Sequence, residues 1–120
     1  GDWAGRKISE VWEVLKQNEN QHNFSCVCPE FSPPNGDSFL DQCKRTFKFI
    51  NKLNFHDQKV IVVVTHSGTI RAILSHLLGI DPDLSIGIEI SYLSISLFEV
   101  FPKDDFKNRG GKYRLLGINK

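Results

Sequence analysis

The chain has 120 residues, 40% of them hydrophobic and 24% charged, and a net charge of +1. This is one domain or part of one, long enough to bury about two-thirds of its unfolded surface. The near-neutral balance excludes a bulk electrostatic case for nucleic acid or an anionic membrane, and no run reaches the roughly 18 apolar residues of a membrane span.

Ile8, Val11, Trp12 and Leu15 recur at helical spacing, so Lys7 to Lys16 is predicted to be an amphipathic helix, with Trp3 and Trp12 as core anchors. Asn18 to Asn23 is polar and reads as a loop. Phe24 to Asn35 holds Pro29, Pro33 and Pro34 and has no period, which predicts irregular backbone, a surface loop or a lid. The 3 cysteines, Cys26, Cys28 and Cys43, are an odd count without a framework, which fits reduced thiols in a cytoplasm. His22, Cys26 and Cys28 raise a metal question, but their spacing matches no standard zinc pattern.

Gly36-Asp37-Ser38 opens the next helix, with Ser38 and Asp41 placed as a capping box. Phe39, Cys43, Phe47 and Ile50 form its apolar stripe, and the helix should end near Asn54. Cys43 therefore reads as a small core residue. Lys44, Arg45, Lys48 and Lys52 read as a solvated face rather than an anion site. His56-Asp57-Gln58-Lys59 is a predicted turn.

Val60 to Val64 is an unbroken aliphatic run, as expected of a strand buried on both faces of a parallel-type sheet. It stops at Thr65-His66-Ser67-Gly68. From Thr69 the apolar spacing turns helical through Ile70, Ile73, Leu74, Leu77 and Leu78, and Gly79 stands where a helix-closing glycine belongs. A strand, a tight turn and a helix leave His66 at the strand's carboxyl end, where ligands of α/β sheets tend to sit. The free amides and partial positive charge of the helix start would suit a phosphate held by His66, Ser67 and Gly68. The competing reading makes His66 a cap and nothing more. Arg71 on the first helical turn could approach an anion or pair structurally, and His76 reads as structural or surface. Pro82 would begin a short helical turn. Ile90 to Val100 alternates and reads as a strand, 102–111 as a hairpin loop, and Lys112 to Ile118 as an antiparallel closing strand.

The stretch Thr65-His66-Ser67-Gly68-Thr69-Ile70-Arg71 resembles the second-histidine motif of the histidine phosphatases, the phosphoglycerate-mutase-like superfamily. Gly1-Asp2-Trp3-Ala4-Gly5 resembles that family's G-D-W-E-G segment with Ala4 in place of Glu. Gly36-Asp37-Ser38-Phe39 resembles its G-E-S-F segment with Asp37 in place of Glu, and Gly110 to Leu116 its closing strand. The resemblance implies an α/β fold with a mixed, mostly parallel sheet flanked by helices. It also implies a phosphatase of a small phosphate monoester, working through a phosphohistidine, with no metal or cofactor. His66 would then hold the transferring phosphoryl group and Ser67 and Gly68 its oxygens. The short connectors look most like the short bacterial members of the α-ribazole phosphatase type, and the family places the proline-rich segment near the substrate.

The family's nucleophile lies in an Arg-His-Gly motif on its first strand, and no Arg-His-Gly occurs here. The resemblance is to the C-terminal portion of the family domain, and Gly1 in a chain with no Met reads as other than a native start. The expectation is a single partial domain over 1–120, inactive by itself, with an open sheet edge beside Val60–Val64. That edge invites a homo-oligomer by edge pairing or domain swap. A non-catalytic anion-binding α/β module is the alternative.

Overall fold

A computed structural model describes residues 1–55, 60–101 and 111–120. Its elements run α1 (Ile8–Leu15), α2 (Phe39–Lys52), α3 (Ser67–Leu78), α4 (Pro82–Ile86), β1 (Leu97–Val100) and β2 (Tyr113–Gly117). The class is α/β, with helices and a small sheet.

The helices start and stop where local chemistry tells them to. Ser38 Oγ accepts from the Asp41 N–H at 3.1 Å while an Asp41 carboxylate oxygen accepts from the Ser38 N–H at 3.1 Å, a complete capping box. Gly79 closes α3 at φ 65°, a left-handed conformation that costs glycine little. Pro82 opens α4, and the Asp81 carboxylate accepts from the Asp83 N–H at 2.8 Å. α2 ends at Lys52, two residues short of the expected stop.

The core lies where α2 packs along α3 and α4 leans on both. Cys43, Thr46 and Ile50 of α2, Ala72, Leu74 and Ser75 of α3, and Ser85 and Ile86 of α4 are buried. Ser75 Oγ donates to the Ile80 carbonyl at 2.7 Å and Ser85 Oγ to the Pro82 carbonyl at 2.8 Å, so neither buried hydroxyl is left unpaired. Cys43 is a core residue as expected, and burial pushes its thiol up to about 11.

Three expectations about the strands fail. The sheet is not mostly parallel: among the described residues it has two strands, β1 and β2, paired antiparallel with a register shift between Leu97 and Phe98. Val60–Val64 forms no strand, and its side chains are exposed, Val64 by 95%. An extended run cannot satisfy its own amides and carbonyls, so strand propensity alone does not make a strand. The long strand at Ile90–Val100 shortens to β1 because Ser91 to Ser94 turns, with Leu93 at φ 59° and Ser94 Oγ donating to the Ser91 carbonyl at 2.8 Å. The closing strand is antiparallel to β1 as expected, over Tyr113–Gly117.

Trp12 is no core anchor either: it is 43% exposed on α1, where Leu15 is the buried residue. Trp3 is half-buried and meets Phe31 of the proline-rich segment with ring centroids 5.8 Å apart. That segment is irregular, as its prolines predict. The turn expected at 56–59 and most of the hairpin loop, 102–110, lie outside the described residues.

Candidate phosphate-binding corner

His66 precedes α3 with extended backbone, φ −94° and ψ 160°, and Ser67 begins the helix, two residues earlier than its apolar spacing indicates. The His66 side chain is exposed and makes no capping hydrogen bond. The helical ladder starts with the Ile70 N–H donating to the His66 carbonyl at 3.0 Å. The N–H groups of Ser67, Gly68 and Thr69 therefore precede the ladder, and none meets an acceptor among the described residues. The helix start adds partial positive charge to these amides. An exposed imidazole and three free amides thus share one corner, a donor set suited to the oxygens of an oxyanion.

Two residues that the sequence pattern did not single out shape this corner. Gln42 reaches across from α2, and its Nε2 donates to Thr69 Oγ1 at 3.0 Å. A Cβ on Gly68 would stand 3.1 Å from Gln42 Oε1, so the glycine admits the Gln42 amide against the helix start. A signal was present: Gln42 stands three residues after Phe39 and four before Thr46, a polar residue on the inward stripe of α2.

The other polar candidates are occupied elsewhere. Arg71 Nε donates to the Ile88 carbonyl at 2.7 Å, a structural tie between α3 and the chain beyond α4. His76 stacks on Phe47 with centroids 4.5 Å apart and bonds Asn51 Oδ1 at 3.0 Å. Desolvation, with the nearby Lys112 ammonium second, lowers its pKa. Lys44 pairs with Asp41 at 3.3 Å and Arg45 pairs with Asp37, as on a solvated helix face.

His22 is engaged at both ring nitrogens. Nδ1 accepts from the Phe24 N–H at 3.1 Å and Nε2 donates to the Asp83 carbonyl at 2.8 Å, which pins the loop to α4. No third histidine, cysteine or carboxylate joins it and a neighbour as a metal-holding group among the described residues. A polar cavity of about 330 Å³ lies beside it, between Asn20, Cys28 and Asp83. No described helix is long and apolar enough to cross a membrane.

Comparison with curated proteins returns no match, and neither does comparison with solved structures. The family model of the histidine phosphatase superfamily, branch 1, matches residues 1–109. That span holds the Gly1-Asp2-Trp3 segment, the capped start of α2 and the His66 corner. With nearly the whole length under one family model, the chain belongs to the histidine phosphatase superfamily.

Proposed function

We propose that the chain supplies the phosphoryl-holding part of a phosphatase that acts on a small phosphate monoester through a phosphohistidine. One observation carries this reading: in a chain of this family, His66 stands exposed and uncapped beside the three free amides of Ser67, Gly68 and Thr69. His66 donates a hydrogen bond to the transferring phosphoryl group, and the Ser67 and Gly68 amides hold its equatorial oxygens as charge shifts in the transition state. The attack falls to an imidazole that these 120 residues do not supply in an Arg-His-Gly motif. The short connectors favour a substrate of the kind the α-ribazole phosphatases accept. No metal or cofactor enters this scheme.

Titration with inorganic phosphate, followed through the backbone amide resonances, tests the corner. Phosphate shifts the Ser67 and Gly68 amides, His66→Ala weakens binding about tenfold, and para-nitrophenyl phosphate is not turned over above background. A turnover that disappears in His66→Ala would give His66 the attacking role instead.

A further inference from the structure

One side-chain amide touches two of the first three residues of α3. Gln42 Nε2 donates to Thr69 Oγ1 at 3.0 Å, and Gln42 Oε1 lies 3.1 Å from the place a Cβ on Gly68 would take. Gln42, Gly68 and Thr69 are all half-buried, so this contact is partly shielded from water. A threonine hydroxyl has one proton to give and two lone pairs that accept. The Gln42 NH₂ occupies a lone pair and cannot take the proton. The Thr69 O–H meets no other acceptor among the described residues, such as the carbonyl one turn back. It is left as a donor beside the Ser67, Gly68 and Thr69 amides.

We infer that Gln42 is a positioning residue of the phosphate corner: it turns the Thr69 hydroxyl into a further donor to the bound oxyanion. The inference rests on the phosphate reading of His66, Ser67 and Gly68. Gln42 acts through Thr69 and does not touch the phosphate itself. Gly68 is part of the device, because a methyl group there would press on Gln42 Oε1.

Inorganic phosphate and the 120-residue chain are enough to test it, with the amides of Ser67 and Gly68 as the readout. Thr69→Val keeps the shape and removes the hydroxyl, and it weakens phosphate binding about tenfold. Thr69→Ser keeps the hydroxyl and keeps binding. Gln42→Ala frees the rotor and weakens binding about threefold. Gln42→Glu weakens it most, because a carboxylate accepts the Thr69 proton and repels the anion. The decisive measurement is Gln42→Ala in the Thr69→Val background. If Gln42 works through the hydroxyl, the double variant binds no more weakly than Thr69→Val alone. Losses that simply add, or a Thr69→Val variant that binds as the parent does, overturn the role of Gln42 and leave the corner standing. A parent chain whose Ser67 and Gly68 amides ignore phosphate brings down both. Melting curves of each variant show that the helices remain folded.

Discussion

The helical unit and the extended segments of this molecule follow opposite rules. α2, α3 and α4 each run their own hydrogen-bond ladder and bury a stripe against one another, with side-chain caps at the starts of α2 and α4 and a glycine closing α3. Val60–Val64 has the stronger apolar signal, yet it is 38–95% exposed and outside any strand. β1 and β2 form a ladder only because they pair with each other, and among the described residues they make few contacts with the helices. Phe55, just past α2, meets Tyr113 edge-on with ring centroids 6.4 Å apart. A helix is satisfied from within, whereas a strand depends on a neighbour elsewhere in the chain. The candidate corner stands at the junction, with its imidazole at the end of the unpaired run and its amides on the well-formed helix.

The sharpest way to break this comparison is to cut one side chain from each region. Leu74 is fully buried in α3, and Leu74→Ala should cost about 2–5 kcal/mol, read from helical circular dichroism during urea unfolding. Val62 is 81% exposed, and Val62→Ala should change stability by less than about 0.5 kcal/mol. A Val62→Ala cost that rises with protein concentration would mean that a second copy covers the run in solution, by pairing along its open edge.

The same contrast explains what was legible in the sequence. The capping box at Ser38, the glycine at 79 and the proline at 82 each specify a boundary through groups one turn away, and the structure has all three features. The apolar period of α2 identified Cys43 as core for the same local reason. The antiparallel partner of β1 was legible, but the fate of Val60–Val64 was not, because pairing there depends on a partner that its own residues cannot name. His66 was visible as the polar residue that ends an aliphatic run. Gln42 was missed because the period of α2 shows a polar residue facing inward but not its partner, and the contact with Thr69 spans 27 positions and joins two helices. Trp12 was misplaced because a helical stripe shows which face is apolar and not whether anything covers it.

A smaller test concerns how far the helical unit depends on its caps. Ser38→Ala removes the acceptor of the Asp41 N–H and the hydroxyl that donates to the Asp41 carboxylate at 2.7 Å, and should cost about 1 kcal/mol. The carboxylate half of the box has a pH signature. The Ser38 hydroxyl, then the Ser38 backbone N–H, then Lys44 hold the Asp41 pKa below its ordinary 3.8 in the folded chain. The unfolded chain therefore binds the Asp41 proton first as the solution is acidified. The contribution is complete above the unfolded value and is lost as pH falls through the lower folded value, so stability rises with pH across that window. Asp41 is half-buried, its side chain 45% exposed, so solvent keeps the slope shallow and added salt weakens its Lys44 share further. Asp41→Asn keeps an oxygen that can accept from Ser38 and removes the charge. Thermal melts between about pH 2 and 5 should show a flatter acid limb in Asp41→Asn than in the parent. Identical limbs would mean that the carboxylate is not held in the box in solution, and α2 would then rest on the Ser38 hydroxyl and its packing against α3.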